Sequence, residues 1–382
     1  MLNFTYHNPT AIVFGRGTIA KLPELIPAAD RVLLIYGGGS IKRNGVYEQV
    51  REALQDRTMV EFGGIEPNPR YETCLRAVEL CRREQIDFLL AVGGGSVIDG
   101  TKFIAAALKY AGDEPWDLVK DQAPIHAAAP FGAVLTLPGT ASEMNGTAVI
   151  SRESNQQKLF FSSPHTFPKF SILDPEVTYS LPPRQSANGT IDTFVHVLEQ
   201  YLTYPVDAPL QDRFAEGILL TLLEEAPKIQ ADPHNYDARA NLMWCATHGL
   251  NGLIACGVPE DWASHMIGHE LTALYGVDHG RTLALVMPRI MRHQRARKRG
   301  KLLQYAARVW GLRDGDEDAR IDEAIQRTES FFHSLGVSTA MSDHGVPPEA
   351  ARLVAERLAA RDMRLGEHAD LGPDQVEEIL RL

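Results

Sequence analysis

Five side chains in one stretch carry the strongest chemical signal in this sequence: Asp192 and His196, then His265 and His269, then His279. The members of each of the first two pairs are four residues apart. On a helix that spacing puts both on one face, so a single element can offer two ligands to a metal ion. Carboxylate and neutral imidazole are ligands for Fe2+ and Zn2+ alike, so the identity of the metal is not readable. An ion held this way with an open position polarises a carbonyl oxygen and stabilises the negative charge that develops there. The group is larger than most metal sites need, and spacing by itself takes both members of each pair as ligands and leaves His279, in a Gly-flanked turn, as the spare.

Two glycine loops supply a second chemistry. Gly37, Gly38, Gly39 and Ser40 follow one apolar run, and Gly93, Gly94, Gly95 and Ser96 follow another. Glycine lets backbone approach a phosphate closely, and a helix N-terminus presents unpaired amides and the positive end of its dipole. Neither loop matches G-x-G-x-x-G, because Lys42 and Ile98 stand where the third glycine belongs. Two assignments remain open. In one, the first loop holds a pyrophosphate and Glu61, at the end of the next strand, holds the ribose hydroxyls. In the other, the second loop holds the pyrophosphate and opens a helix carrying Asp99 and Lys102, while the first loop faces the adenosine ribose. Between residues 37 and 44 there is no carboxylate, whereas Ser40, Lys42 and Arg43 are present. Hydroxyl and cationic groups favour a 2′-phosphate, so the expectation is NADP(H) over NAD(H). Thr136, Leu137, Thr140 and their neighbours form a hydroxyl-rich loop suited to wrapping a cofactor. Lys158, in a Gln-Gln-Lys stretch, reads locally as a solvated lysine.

The elements that must position these groups follow from periodicity. Up to about residue 180, short apolar runs at 11–14, 32–36, 59–62, 88–92 and 132–136 alternate with amphipathic stretches at 46–54, 71–84 and 97–110, the pattern of an α/β sheet with covering helices. After Leu181, Pro182 and Pro183 the helical period dominates. The expected organisation is a Rossmann-like nucleotide-binding domain over 1–180 and an all-α metal-binding domain over 181–382. At 382 residues, two domains are the default.

A net charge of −11 argues against nucleic acid as a partner. The basic run Arg289, Arg292, Arg295, Arg297, Lys298, Arg299 and Lys301 reads as a solvated helix face. There is no secretory signal pattern and no apolar stretch of bilayer length, and four cysteines without CxxC spacing fit reduced thiols, so a cytoplasmic enzyme is expected. Trp244, Trp262, Met144 and Phe160 are candidates for an apolar pocket, although such residues more often pack a core.

Taken together, GGGSVIDGTK, TLPGTASE, the Asp192-x3-His196 pair and the His265-x3-His269-x9-His279 run resemble the iron-containing, or group III, alcohol dehydrogenases. YGGGS, GGIEPNP, LPPRQ and NGLIACGVPEDWASH resemble in particular the bacterial branch of NADPH-dependent aldehyde reductases and butanol dehydrogenases. The resemblance covers nearly the whole chain and implies a dehydroquinate synthase-like architecture with a catalytic cleft between its domains. It implies Asp192, His196, His265 and His279 as metal ligands and places His269 near the nicotinamide. It assigns Gly94, Gly95 and Ser96 to the pyrophosphate, puts residues 37–40 at the adenosine ribose, and matches Thr136, Leu137, Thr140, Asn145 and Lys158 to the cofactor region, with Lys158 at the nicotinamide ribose; Asp99, on the helix that the second loop opens, is expected at the cofactor as well. Many NAD-using members carry an Asp in the first loop, and this chain does not. A homodimer, paired through the edges of the nucleotide domains, is also implied. The competing readings are a dehydroquinate-synthase-like enzyme that uses its cofactor transiently, and a cofactor-free metal-binding protein.

Overall fold

The computed structural model describes residues 1–382, and its contacts divide the chain into two compact units. One comprises His7–Pro182 together with His234–Thr247, and the other Met1–Tyr6, Pro183–Pro233 and His248–Leu382. The expected division at 180/181 is therefore crossed twice, by the N-terminal segment and by a helix returning to the first unit.

The first unit contains β1 (Ala11–Phe14), β2 (Val32–Tyr36), β3 (Met59–Phe62), β4 (Phe88–Gly94), β5 (Phe131–Leu137), β6 (Thr147–Arg152), β7 (Gln157–Ser162) and β8 (Phe170–Leu173). Six strands form one parallel sheet in the order β1-β8-β5-β4-β2-β3, while β6 and β7 make a separate antiparallel pair. Its longer helices are α1 (Val46–Ala53), α2 (Tyr71–Glu84) and α3 (Gly95–Ala107).

Strand β2 shows why the sheet is covered on both faces. Val32 and Leu34 pack in one apolar cluster with Val46 and Val50 of α1, whereas Leu33 and Ile35 pack in another with residues of α2 and α3. A strand buried on both sides becomes a continuous apolar run, as VLLIY is. Helix α2 buries Cys74, Ala77, Val78 and Cys81, a stripe at i, i+3, i+4 and i+7. All four cysteines of the chain are free and buried.

Three strands escape the periodicity reading. β8 has four residues and is recognisable as a strand only because it lies between β1 and β5. β6 and β7 are amphipathic against α3, and this reverses the local reading of Lys158. Its polar sequence neighbours predict solvent, but Lys158 lies in β7 with only 7% of its surface exposed.

The second unit is helical: α4 (Pro183–Tyr201), α5 (Pro209–Ala231), then beyond the returning α6 (Tyr236–Gly249) come α7 (Ala263–Tyr275), α8 (His279–His293), α9 (Arg299–Arg308), α10 (Glu317–Ser334), α11 (Ala350–Ala359) and α12 (Pro373–Arg381). Ile267 and Leu271 of α7, Leu285 and Ile290 of α8, Val354 of α11 and Ile379 of α12 share one core cluster. None of the helices is long and apolar enough to cross a membrane.

The basic run is a solvated face only in part: Arg292 and Arg297 are exposed, whereas Lys298 is buried. Arg292 pairs with Glu329, Arg295 with Asp318 and Asp322, Arg297 with Asp370, Arg299 with Glu317 and Asp318, and Lys301 with Asp212. Arg289 donates to the carbonyls of Leu285 and Thr339, and Lys298 is buried against Asp261 and Glu367. Each cation neutralises an acid, or caps a carbonyl, of the same unit.

Helix α6 belongs to the first unit for a specific reason. Met243 joins the core that contains Ala148, Ile150 and Phe161, and the Thr247 hydroxyl donates to the fully buried carboxylate of Glu143 at 2.6 Å. Removing that donor strands a buried acceptor. Thr247→Val should therefore lower unfolding stability by about 2 kcal/mol in urea titration, and an unchanged midpoint would mean that the bond does not hold α6.

Candidate active site

Helix α4 carries Asp192 and His196 one turn apart, with Glu199 continuing the same face at i+7 from Asp192. Helix α7 carries His265 and His269 on successive turns. Gly276, at φ +68, ends α7, and the chain turns directly into α8. His279 is thus the first residue of a helix, not a member of a loose turn. Gly280 permits that placement: a Cβ there would stand 2.4 Å from the Asn188 carbonyl oxygen, so only glycine lets the start of α8 lie against α4. Asp278 ties the same corner, accepting from Arg184 at 2.7 Å and from Asn188 at 2.9 Å.

These elements bring the candidate ligands Asp192, His265 and His279 together, with His196 beside Asp192. Oδ1 of Asp192 lies 3.7 Å from Nε2 of His196, 3.9 Å from Nε2 of His265 and 3.6 Å from Nε2 of His279. The separations are too long for hydrogen bonds. Ligands about 2.1 Å from a tetrahedral ion stand about 3.4 Å apart, so Asp192, His265 and His279 are spaced slightly wider than a closed shell and could hold one divalent ion, with His196 near Asp192 but outside that mutual set. One atom from each of Asp192, His265 and His279 lies within 4.8 Å of the others, and the His196 ring stacks on His265 at 4.5 Å. Asp192, His196 and His265 are buried, while the side chain of His279 is 22% exposed. His269 stands beside the cage, its ring 5.2 Å from that of His279. The Trp262 indole meets the rings of His265 and His196 edge-on at 5.2 and 6.1 Å. Trp262 is thus a neighbour of the candidate ligands His196 and His265, unlike Trp244 and Phe160, which are 40% and 43% exposed in the other unit.

In the sheet unit, the two glycine loops differ. β4 runs straight into α3, whose N-terminus has no side-chain cap, and a Cβ on Gly95 would strike the Thr140 side chain at 2.4 Å. The first loop instead leads, through Gly39 at φ +82, into a single turn at Ser40–Lys42. Uncapped amides at a full helix start therefore belong to the second loop.

Glu61 does not offer a free carboxylate for ribose hydroxyls. It accepts from Lys42 at 2.8 Å, from Tyr36 at 3.2 Å and from Tyr47. Burial raises its pKa, but these three donors together hold it below the ordinary range. The bond to Glu61 in turn raises Lys42.

Asp99 is similarly occupied: it accepts from the Ser142 hydroxyl at 2.5 Å and from the Val149 amide at 2.9 Å, fixing the hydroxyl-rich loop to β6. Lys102, fully buried, donates to Asn145 Oδ1 at 2.8 Å and to the Thr147 carbonyl at 2.7 Å.

Residues 9–175 match the family described as iron-containing alcohol dehydrogenase, and residues 186–382 match the C-terminal part of the same family. The chain belongs to the iron-containing alcohol dehydrogenase family. It is 55% identical over 382 residues to the NADPH-dependent aldehyde reductase YqhD of Escherichia coli, covering 99% of each chain. It is 42% identical to a probable NADH-dependent butanol dehydrogenase of Bacillus subtilis, covering 100% of this chain and 99% of that one. Among solved structures, that of E. coli YqhD superposes with a TM-score of 0.98 at 54% identity, covering 100% of this chain and 98% of the other. A butanol dehydrogenase from Thermotoga maritima superposes with a TM-score of 0.95 at 37% identity, with the same coverage. The fold of this family, a parallel-sheet N-terminal part followed by a helical C-terminal part, is the one found here, and the chain is an oxidoreductase of the alcohol dehydrogenase class.

Within this iron-containing alcohol dehydrogenase, spacing did not single out Glu199, which accepts from the Ser264 amide at 2.5 Å and meets Nδ1 of His265 in a short contact. The signal was available: Asp192, His196 and Glu199 share one helical face. Lys102 gives a pH signature. Burial pushes its ammonium down to about 8, against the pull of Asp99 and Glu143. Between about 8 and 10.5 the folded chain then releases a proton that the unfolded chain keeps, so this group's contribution to stability rises with pH across that window. Comparing the native chain with Lys102→Met by urea unfolding should show the native chain gaining roughly 2–3 kcal/mol relative to the variant from pH 8 to 10.5. A pH-independent difference would mean that Lys102 titrates normally.

Proposed function

We propose that this enzyme reduces aldehydes to primary alcohols with NADPH at one divalent metal ion, Fe2+ or Zn2+, held by Asp192, His196, His265 and His279. The observation that carries the reading is the convergence of three imidazole Nε2 atoms on one buried carboxylate oxygen in a chain of this family. The E. coli relative named for NADPH-dependent aldehyde reduction supports the direction and the cofactor.

When bound, the ion supplies Lewis acidity toward a carbonyl oxygen and the nicotinamide supplies the hydride. The chain's own part is orientation, exclusion of water and handling of the proton. Asp192 and the three histidines come from three helices locked at one corner, so the carbonyl oxygen has a single docking point. Trp262 covers one side of the rings and restricts water. His269, one turn from His265 and beside His279, is the group that relays a proton to the nascent alkoxide, through water or a ribose hydroxyl.

On the nucleotide side, Gly94, Gly95 and Ser96 hold the pyrophosphate at the uncapped start of α3. Gly37, Gly38, Gly39 and Ser40 face the adenosine ribose, with Ser40 and Lys42 at its 2′-phosphate. Lys42 stands beside the loop but shares its charge with the Glu61 carboxylate, so the 2′-phosphate preference rests on Ser40, Lys42 and the NADPH-dependent relative. Thr136, Leu137, Thr140, Asn145 and Lys158 line the remaining cofactor path, and Asp99 acts there by holding the Ser142 loop. The exposed edge strand β1 supports a homodimer joined along it, and the four reduced thiols support a cytoplasmic location.

The deciding measurement is NADPH oxidation over a panel of aldehydes, with metal content and light-scattering mass taken on the same preparation. Turnover should vanish on chelation and return with Fe2+ or Zn2+, the specificity constant should be higher with NADPH than with NADH, and the mass should be twice 42.2 kDa. Full activity in a verified metal-free preparation would reject the metal reading. A second prediction concerns the proton: His269→Ala should lower turnover roughly 100-fold while metal content stays the same, and loss of the metal would instead make it a ligand.

A further inference from the structure

Glu199 is 2% exposed, and its two carboxylate oxygens are divided between two partners on the first turn of α7. Oε1 accepts from the Ser264 amide at 2.5 Å, and Oε2 meets Nδ1 of His265 in a short contact. A neutral imidazole carries one N–H. Against a carboxylate that proton belongs on Nδ1, which leaves the electron pair on Nε2, the nitrogen that faces Asp192 at 3.9 Å. The same contact limits rotation of the ring about its Cβ–Cγ bond.

The first turn of α7 is itself anchored from behind. Asp261 accepts from the Ala263 amide at 2.9 Å through Oδ1, and its own amide donates to the Glu199 carbonyl at 2.9 Å. Its Oδ2 accepts from Lys298 at 2.8 Å. Lys298 also donates to Glu367 at 2.7 and 2.8 Å and to the Leu202 carbonyl at 2.6 Å, with about 5% of its side chain exposed. Between Asp261 and Ala263, Trp262 sits at φ +61, a conformation that a bulky residue adopts only when its surroundings impose it. A buried charge cluster thus joins the end of α4, the start of α7 and the segment before α12.

We propose that Glu199 is a positioning residue that sets the tautomer and orientation of His265 for metal binding, with Asp261, Lys298 and Glu367 holding the first turn of α7 where Glu199 can reach it. The proposal rests on the metal reading above. It predicts an effect on metal affinity that is separable from folding, because removing carboxylates behind metal-bound histidines characteristically weakens metal binding roughly 10- to 100-fold.

The test is titration of the metal-free full chain with Co2+ against a competing chromophoric chelator, with the Co2+ visible absorption band and the thermal midpoint of each apo-protein recorded. Glu199→Ala should weaken Co2+ binding roughly 10- to 100-fold and shift the band. Glu199→Gln, equal in volume and still an acceptor, should fall between that variant and the unmodified chain, and Glu199→Leu, close in volume and without an acceptor, decides the question if Glu199→Ala does not fold. Lys298→Met should weaken Co2+ binding by a smaller factor with a band shift in the same direction. If a folded variant without an acceptor, Glu199→Ala or Glu199→Leu, binds Co2+ within twofold of the unmodified chain with an unchanged band, the proposal is overturned, whatever happens to the thermal midpoint. If the unmodified chain itself takes up no stoichiometric Co2+, the metal reading fails instead.

Discussion

A carboxylate and three imidazoles held at one buried point form an arrangement that resists assembly. Burying a charged oxygen costs free energy unless something compensates it, and crowding electron-pair donors adds to that cost. Much of the helical unit answers this constraint. α4 supplies two donors, α7 one and α8 one, and the corner where α4 and α8 meet is closed by a glycine and by Asp278 bound to Arg184 and Asn188. A divalent ion held there would relieve the crowding directly, so the preorganisation that disfavours the empty arrangement would favour the filled one.

The sheet unit meets a different requirement, close approach of backbone to neighbouring side chains at a helix start. Where β4 becomes α3, three successive glycines leave no Cβ to collide with Val97, Leu137 or Thr140, and the helix amides stay uncapped. Around this point the buried polar groups are matched with one another: Lys102 with Asn145 and the Thr147 carbonyl, Asp99 with Ser142 and Val149, Glu143 with Thr247. Such a network is stable only when its members find partners, which makes the loops it fixes stiff.

Charge is used in the same way at the periphery. A stretch that locally looks like a basic patch is spent on internal neutralisation, and its least exposed member, Lys298, lies behind the first turn of α7, the helix that carries His265. Exposed pairs of this kind contribute little each, but the buried one links segments far apart in the chain.

Much was legible in the amino-acid order. Apolar runs of strand length flanked by helical stripes are local patterns, and so are the i, i+4 pairs Asp192/His196 and His265/His269, because both arise from the geometry of a single element. The four-residue β8, the β6–β7 pair and the burial of Lys158 were not legible, since each depends on what packs against it. Neither was the return of α6 to the sheet unit, which rests on Met243 and Thr247 meeting residues about a hundred positions earlier. For the metal cage, the sequence determined which side chains were available and which pairs shared a face. Which nitrogens converge, with His279 entering at the start of α8, His269 standing aside and Glu199 backing His265, was decided by tertiary structure, because the distance between side chains on different helices is set by how those helices pack.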